Sequence, residues 1–574
     1  MKRTCCLLGY LLCMTFSANA QKLIPTNYFS SPLGIDLSVT GAFGEIRPNH
    51  LHSGADFQVQ KKEGLPVYAV ADGFVSRIKI SPVGFGNALY IDHPNGFTSV
   101  YGHLYNYNDS IASYARIKQY EKKSFEVDLF PAHDHDTIWV RQGEPIAFAG
   151  NSGSSFGAHL HFELRNTETE RIINPLLFGL KTKDNYSPYI DFITVYPESA
   201  ESFADGSNKP LKFNVSKVLG GEYRLKGNDT IDVFGEFGIG VQAFDYLYND
   251  SDRNGWYSLK MLLDKAPFFS MQLDSFAFSE TRFINASLDY SDSYWNGTRI
   301  VQSVKLPGDE LSLHNSGSGN GKISIKDDHY HELVVIVGDL SGKQAVLRCT
   351  LHGRKPVSKV EVPDPESPDT VVVFSYLKDN NFNTSDLALQ FPKGTLFDDL
   401  GFQYSRMPIR KGYYSARHCL HVPYVPLKGK MLVSIKADKL PPRLRSMALL
   451  ARIDQQGHLS TAGGSYSDGY VKAETNLFDS YAIVVDSVPP KIKPIRDRNK
   501  HHRNIKFNVS DNLSGIDKYY AEINHKWALV EWDPKNDLMV YNYDQLVRKG
   551  KNTFKLTLID KKGNKSSYST LIRQ

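Results

Sequence analysis

Cysteine is scarce in this 574-residue chain, which has five, and Cys5, Cys6 and Cys13 lie within the first twenty residues. The other two, Cys349 and Cys419, cannot build a disulfide framework, so several ordinary hydrophobic cores must stabilise the chain. We expect these two cysteines to be unpaired core residues, although the sequence leaves a single bridge open.

Charge of one sign is also scarce, because 67 basic residues face 62 acidic residues and leave a formal net charge of +5. The sequence contains neither a basic stripe nor a glycine-rich phosphate loop. We therefore expect no nucleic-acid partner.

Long apolar runs are confined to the N-terminus. Lys2 and Arg3 precede an apolar run from Thr4 to Phe16, and Ser17-Ala18-Asn19-Ala20 ends in an A-x-A pattern. This arrangement predicts a signal peptide over residues 1–20 that is cut after Ala20, with an uncleaved anchor as the alternative. No later segment reaches about 18 apolar residues without charge, so no transmembrane segment is expected in the mature chain.

The remaining chain is dominated by short runs in which apolar residues alternate with polar ones, such as VYAVADGFVSRIKI from Val67. Period-two alternation punctuated by Gly, Asn and Pro is typical of antiparallel β-structure. The predicted fold class is therefore mainly β. One charged stretch, Ala112 to Phe130, is expected to form a short helix or a lobe between strands.

Composition divides the mature chain into four units. We predict an antiparallel β domain at 21–185, a β-sandwich module at 186–355, a linker rich in proline and charge at 356–369, a β-rich module at 370–487 and a C-terminal sandwich module at 488–574.

Two separated histidine motifs carry the chemistry. His52 is followed four residues later by Asp56, and His159 is followed by His161 and Glu163 at spacings of two. Alternate residues of a strand share a face. Two imidazoles and a carboxylate form the ligand set of an open zinc site that keeps one position for water. The spare histidine of the His159/His161 pair and His103 are candidates for the base and its electrostatic partner.

Other histidine pairs resemble this pattern less closely. His329 and His331 precede Glu332, but no histidine with an aspartate four residues later lies upstream in the same unit, so a solvated strand end is expected. His133 and His135 lie in a polar stretch, where a surface position is expected.

Residues 41 to about 176 resemble peptidase family M23, the LytM/lysostaphin-like zinc metallopeptidases. The resemblance rests on four segments, which are GAFGEIRPNHLHSGADF, GLPVYAVADGFVSRIKI, GNALYIDHPNGFTSVYGHL and GEPIAFAGNSGSSFGAHLHFEL. It implies that His52, Asp56 and His161 bind one zinc ion per chain. It further implies that His159 is the catalytic base and that His103 is the second catalytic histidine, which orients the water or stabilises the oxyanion.

The chain departs from the simple family pattern between Leu104 and Val140, where it is longer. This added lobe is expected either to border the groove or to be an inert decoration. Glu163 is expected either to hold a ligating imidazole or to be an exposed charge at a strand end. For Tyr101, a buried strand aromatic is favoured over a role in lining the substrate groove.

The resemblance implies a secreted zinc metalloendopeptidase that hydrolyses peptide cross-links of peptidoglycan. The leader followed by an M23-like domain and Ig-like β modules resembles secreted proteins of the Bacteroidetes type. The expected location is therefore the periplasm or cell envelope of a Gram-negative bacterium. The expected partners are peptidoglycan peptide stems and envelope proteins bound by the β modules. Two alternatives are a non-catalytic regulator or scaffold of cell-wall hydrolases and a zinc peptidase with a protein substrate.

Overall fold

The computed structural model describes residues 24–132, 136–218, 221–246, 253–355, 372–495 and 503–573. The predicted leader, the predicted linker at 356–369, His133 and His135 lie outside these ranges. The described residues are nearly all β, which confirms the predicted fold class. Within them, no helix combines the length and the apolar character needed to cross a membrane.

The N-terminal module contains strands β1 to β14, one α-helix and a short 3-10 helix at Pro175–Phe178. The elements are β1 (Val39–Gly41), β2 (Ile46–Arg47), β3 (His50–Leu51), β4 (Ala55–Gln58), β5 (Pro66–Tyr68), β6 (Gly73–Ile80), β7 (Asn87–Asp92), β8 (Phe97–Gly102), β9 (Leu104–Tyr107), α1 (Asp109–Lys122), β10 (Val127–Leu129), β11 (Trp139–Val140), β12 (Pro145–Ala149), β13 (His159–Asn166) and β14 (Ile172–Ile173).

The main sheet of this module runs in the order β1-β4-β13-β8-β7-β6-β10, and β5, β12 and β9 form a smaller sheet. Along β6, buried and part-exposed residues nearly alternate, as the period-two pattern predicts. The inward residues join one hydrophobic core that includes Phe57, Val75, Leu104 and Phe162. The central position of β4, β13 and β8 fixes the backbone on which the histidine motifs lie.

Helix α1 overlaps the charged stretch from Ala112 to Phe130, for which a short helix or a lobe was predicted, and begins three residues before it. Asn108 begins it as an N-cap, because its Oδ1 accepts a hydrogen bond from the backbone N–H of Ile111. The helix packs Ile111 and Ala115 into the core of the N-terminal module. The segment is therefore an integral part of that module.

The second module contains β15 to β27, the helix α2 and a 3-10 helix at Phe278–Ser287. The elements are β15 (Tyr189–Pro197), β16 (Phe203–Ala204), β17 (Leu211–Lys217), β18 (Glu222–Leu225), β19 (Thr230–Phe244), β20 (Ser258–Leu263), β21 (Ala266–Gln272), β22 (Ser275–Phe276), α2 (Tyr290–Asn296), β23 (Ile300–Gln302), β24 (His314–Asn315), β25 (Ile323–Ile325), β26 (Tyr330–Gly338) and β27 (Gln344–Gly353).

The first two modules are joined by shared packing. Strand β14 pairs with β22, and the ring of Phe43 stacks on that of Phe276 with centroids 4.8 Å apart. Phe43, Leu51 and Ile172 belong to the hydrophobic core of the second module. Burial of this apolar surface fixes the two modules against each other.

The third module has two five-stranded sheets, an additional pair of strands and a 3-10 helix at Pro442–Met447. Its strands are β28 (Val372–Phe374), β29 (Asn380–Asn383), β30 (Leu387–Phe391), β31 (Leu400–Phe402), β32 (Tyr404–Met407), β33 (Arg417–Leu420), β34 (Met431–Lys436), β35 (Ala448–Ile453), β36 (Leu459–Gly463), β37 (Ser465–Ser467), β38 (Tyr470–Thr475) and β39 (Ser480–Val485).

The C-terminal module has two four-stranded antiparallel sheets, and a 3-10 helix spans Pro534–Asn536. Its strands are β40 (Lys491–Ile495), β41 (Asn504–Ser510), β42 (Ile516–Ile523), β43 (Lys526–Trp527), β44 (Glu531–Asp533), β45 (Leu538–Asn542), β46 (Lys551–Asp560) and β47 (Lys565–Arg573).

This last module contacts the N-terminal module. The Tyr120 hydroxyl donates a hydrogen bond to the Asp544 carboxylate, and Lys535 Nζ donates to the backbone oxygen of Asn151. The ring of Tyr120 also meets that of Trp527 edge-on at a centroid distance of 5.2 Å. The contacts therefore connect the two ends of the described chain.

The two described cysteines are both free thiols. Cys349 is buried in the core of the second module, and Cys419 lies on β33 of the third. The expectation of two unpaired cysteines is thus confirmed.

Candidate metal centre and active site

Strand pairing brings the two histidine motifs together. In the antiparallel pair β4–β13, His161 lies opposite Asp56 and His159 lies opposite Gln58. On the other side of β13, His161 lies opposite Gly102, the residue before His103. Hydrogen bonding in the sheet therefore aligns three segments that are far apart in sequence.

Three ligand-type atoms converge at this point. His52 Nε2 lies 3.0 Å from Asp56 Oδ1 and 3.1 Å from His161 Nδ1, and His161 Nδ1 lies 2.9 Å from Asp56 Oδ1. Donor atoms about 2.0–2.2 Å from a tetrahedral zinc lie roughly 3.3–3.6 Å from one another. The observed triangle is slightly tighter than this spacing, and all three side chains are buried.

The outer nitrogens of the two imidazoles determine what this triangle can bind. His52 Nδ1 lies 2.8 Å from the backbone oxygen of Ala42, and His161 Nε2 lies 3.0 Å from Glu163 Oε1. Both oxygens can only accept, so both outer nitrogens carry hydrogen. In the neutral imidazoles, two nitrogen lone pairs and a carboxylate oxygen therefore point at one centre. This donor set fits a divalent cation such as zinc.

The electrostatics of the cluster favour a positive charge at its centre. Burial lowers the pKa of His52, which favours its neutral, ligating form. Burial alone would raise the pKa of Asp56, but His52, His159 and His161 outweigh it and hold that pKa well below its usual value. Burial alone would lower the pKa of His161, but hydrogen bonds to Asp56 and Glu163 raise it to about 9. Without a metal, His161 therefore carries a proton, and a divalent cation at this centre would displace that proton and take its place.

Glu163 is fully buried, so the alternative of an exposed charge at a strand end is wrong. Its Oε1 accepts from His161, and its Oε2 accepts from Arg165 Nε at 2.7 Å. Burial alone would raise the pKa of Glu163, but the charge of Arg165 and the bond to His161 lower it to about 2. The ionised Glu163 thereby fixes the tautomer and orientation of the His161 ring.

His159 and His103 each turn one ring nitrogen to the backbone. His159 Nδ1 lies 2.9 Å from the oxygen of Gly157, and His103 Nδ1 lies 2.8 Å from the oxygen of Ser152. Each Nδ1–H therefore donates, and each Nε2 is left as an acceptor in the neutral ring. His159 Nε2 lies 3.4 Å from Asp56 Oδ1. The rings of His159 and His103 meet edge-on, with their centroids 4.8 Å apart.

The backbone around His103 is unusual. His103 has a left-handed φ of 58°, which turns the chain sharply between β8 and β9. Burial lowers the pKa of His103 to about 3, and the neighbouring His161 and His159 act in the same direction. His103 is therefore neutral at physiological pH.

Gly54 permits the close approach of the two motifs. A Cβ at this position would lie 2.6 Å from the oxygen of Phe162 and 2.8 Å from Cε1 of His161. Any side chain there would displace the β13 backbone or the His161 ring.

Three further residues belong to the site and were not predicted from the sequence. Arg47 donates from Nη2 to Asp56 Oδ2 at 2.7 Å, Phe85 stacks on His161 with centroids 4.7 Å apart, and Arg165 pairs with Glu163. The spacing of two from His159 through Arg165 was the available signal for Arg165. Nothing local points to Phe85 or Arg47.

Tyr101 lies in the core of the N-terminal module, as favoured from the sequence. It is fully buried, and its hydroxyl oxygen accepts hydrogen bonds from the Val70 N–H and from Ser99 Oγ. This position argues against a role in lining a substrate groove.

His329 directly precedes β26, and His331 is the second residue of that strand. Both positions agree with the strand end predicted from the sequence. His331 pairs with Asp264 and Asp327, and His329 is largely exposed. Both histidines therefore lie beside carboxylates. Among the described residues, neither belongs to a group of side chains that could hold a metal ion together.

A second group of metal-ligand type residues comprises Asp486, Asp511 and Asp560. It contains no imidazole, and the charge of Lys562 lies close to Asp486 and Asp560. Of these two groups, the cluster at His52 matches the chemistry of an open zinc site.

Comparison with known proteins finds similarity to two family models. Residues 50–122 match the model described as peptidase family M23, and residues 371–486 match that of a Zu5-like domain. The second match covers the third module, for which the sequence predicted no family.

Curated relatives match part of the chain. The chain is 31% identical over 166 residues to a DD-carboxypeptidase/endopeptidase Mpg of Neisseria meningitidis serogroup B, covering 29% of this chain and 30% of that protein. It is 33% identical over 137 residues to an uncharacterized metalloprotease of Haemophilus influenzae, covering 24% of this chain and 22% of that protein. The match therefore spans less than a third of the length of each relative.

Two solved structures align over a similar share of this chain, but over a larger share of their own length. The catalytic domain of the prophage-encoded M23 protein EnpA from Enterococcus faecalis aligns at 22% identity, covering 26% of this chain and 98% of that one with a TM-score of 0.20. A zinc-containing peptidase from Vibrio cholerae aligns at 24% identity, covering 27% and 41% with a TM-score of 0.20.

Proposed function

We propose that this protein is an exported zinc metalloendopeptidase that hydrolyses peptide cross-links of bacterial peptidoglycan. The match of residues 50–122 to the model of peptidase family M23 supports this proposal. The observation that carries the proposal is the convergence of His52 Nε2, Asp56 Oδ1 and His161 Nδ1 beside His159 and His103. The five side chains to which the proposal assigns a role thus lie close together.

In this proposal His52, Asp56 and His161 hold the metal. Zinc bound there supplies Lewis-acid chemistry, which activates a water and polarises the amide carbonyl. Glu163 holds the His161 ring through its outer nitrogen, and Arg47 holds the second oxygen of Asp56. These outer contacts keep the three ligand atoms directed at one point.

His159 is the proposed base. Its Nδ1–H is engaged by the backbone oxygen of Gly157, so its Nε2 is free to take a proton from the attacking water. The same nitrogen then returns that proton to the departing amine as the amide C–N bond breaks. The side chain is partly exposed, with 19% of its surface accessible, and a substrate amide can reach it.

His103 is proposed to orient the attacking water. The sequence left open whether His103 orients water or stabilises the oxyanion. Its Nδ1–H donates to Ser152, so Nε2 of the neutral ring accepts a hydrogen bond and does not donate one. An acceptor at this position favours the first role.

The substrate class is supported by the names of the relatives. The Neisseria protein is named a DD-carboxypeptidase/endopeptidase. We propose that this chain cleaves the corresponding cross-link, D-Ala–meso-diaminopimelate in a Gram-negative wall. The leader pattern at residues 1–20 supports export to the periplasm or cell envelope, where that substrate lies.

The experiment uses purified sacculi and the metal-loaded mature chain. Wild type and the control His331→Ala, which changes a histidine outside the site, should release soluble muropeptides with new peptide ends, whereas His159→Ala should release almost none. Zinc-loaded wild type that leaves sacculi intact would contradict the proposal and favour a regulator or scaffold. Cleavage of an unfolded protein without cleavage of sacculi would instead identify a protein substrate.

A further inference from the structure

A cavity of about 620 Å³ lies between the N-terminal and C-terminal modules. The N-terminal module lines it with residues that include Leu104, Asn151 and Ser152. The C-terminal module lines it with residues that include Glu531 and Asp533 of β44. The cavity is therefore built only when the two ends of the chain meet.

The cavity begins beside the active site. Leu104 directly follows His103, and the backbone oxygen of Ser152 accepts the hydrogen bond of His103 Nδ1. Lys535 of the C-terminal module donates to the backbone oxygen of Asn151, one residue before Ser152. The segment that holds His103 is thus also the segment on which the C-terminal module rests.

The wall of the cavity is rich in hydrogen-bond acceptors. Among the described residues, Asn151 Oδ1 and Asp533 Oδ1 are buried oxygens that no group satisfies with a hydrogen bond. Such oxygens are costly to bury unless a donor arrives. Glu531 and Glu63 add carboxylates, and Arg116 is a cation in the same lining. The surplus of acceptors and negative charge suits a ligand with N–H donors and an ammonium group.

We propose that this cavity is a substrate subsite that binds an amine-bearing segment of the peptide adjacent to the cleaved bond. The inference rests on the proposed function, and it assigns the C-terminal module a direct part in specificity. Asp533 and Glu531 receive the ammonium group, and Asn151 Oδ1 accepts from an amide N–H of the same segment. An uncross-linked diamino acid in a peptide stem carries such an amine.

The first test compares the effects of two variants on KM and on kcat. The variant Glu531→Gln/Asp533→Asn removes the charge of the wall and keeps its shape, and Asp517→Asn removes an exposed charge elsewhere on the same module. With a dimeric muropeptide that has a free amine, we expect KM to rise roughly tenfold in the double variant, with kcat little changed, because a charge-assisted hydrogen bond is lost. The control should match wild type in KM and in unfolding temperature.

A second measurement separates this inference from the proposed function. Calorimetric binding of the same muropeptide and of its N-acetylated form is measured in the His159→Ala background. Acetylation should weaken binding when Glu531 and Asp533 are intact and should have little effect in the double variant. Equal affinities for both ligands would overturn the subsite even if sacculi are cleaved. Selective binding without cleavage would retain the subsite and refute the hydrolase.

Discussion

Asp56 Oδ1 lies 2.9 Å from Nδ1 of His161, although 105 residues separate the two in the chain. The register of β4 against β13 produces this contact, since the two residues are direct partners in the ladder. A shift of the register by one residue would turn one of them to the opposite face. The candidate metal centre is therefore a consequence of sheet register.

The base can be separated from the ligands by mutation. His159→Ala should keep zinc but lose about 10²–10⁴-fold in turnover of a cross-linked muropeptide, because a positioned base contributes that much. Metal content by mass spectrometry and initial rates by chromatography measure the two effects. Turnover close to wild type would place the base elsewhere.

The buried Glu163 should tune the metal through His161. We expect Glu163→Gln to weaken zinc affinity about 10–100-fold, as is common for outer-shell partners of ligating histidines. Competition with a chelator measures the zinc affinity. Thermal unfolding in excess zinc tests whether loss of the ion pair between Glu163 and Arg165 has destabilised the fold. An unchanged affinity in a folded variant would mean that Glu163 serves only the Arg165 pair.

Glycine at position 54 should be required for assembly of the site. Gly54→Ala places a methyl group 2.6 Å from the Phe162 oxygen, so we expect lower zinc occupancy and a lower unfolding temperature. Gly157→Ala is the matched control, because its methyl group meets nothing within 4 Å. Equal zinc occupancy in the two variants would contradict the close approach.

A pH effect on stability is expected from the second module. Burial raises the pKa of Asp245 to about 7, and Asp184 and Asp339 add to the shift. The unfolded chain releases this proton near pH 3.9, so the folded state binds more protons between roughly pH 4 and 7. Its contribution to stability is thus present at low pH and lost as the pH rises through about 7.

Asp245→Asn should remove that dependence. Its unfolding temperature, relative to wild type, should be higher at pH 8 than at pH 5, by roughly 2–4 °C for each kcal/mol gained. Asp517→Asn, which changes an exposed carboxylate, should show no such difference. A gain in the Asp245 variant that is the same at both pH values would refute a raised pKa.

Local pattern was sufficient for part of the account. The period of two at His159, His161 and Glu163 predicted a strand with one shared face, and β13 spans these residues. The charged stretch from Ala112 indicated a short helix or a lobe between strands, and α1 covers its first part. Such features depend on neighbours in sequence, which the alternation of residue types records directly.

Long-range packing was beyond the reach of that pattern. Lys535 and Asn151 are 384 residues apart, and no periodicity indicates that their modules meet. Phe85 reaches His161 only through the folding of the loop before β7. The alternatives for Glu163 stayed open for the same reason, since burial depends on what covers a strand.

The central claim is that His52, Asp56 and His161 share one metal ion, and anomalous X-ray scattering at the zinc edge tests it most directly. Crystals of the zinc-loaded mature chain should show one peak per chain, about 2.0–2.2 Å from His52 Nε2, Asp56 Oδ1 and His161 Nδ1, and Asp56→Ala crystals should lack it. A zinc peak at another place, or an undiminished peak in the Asp56 variant, would contradict the account.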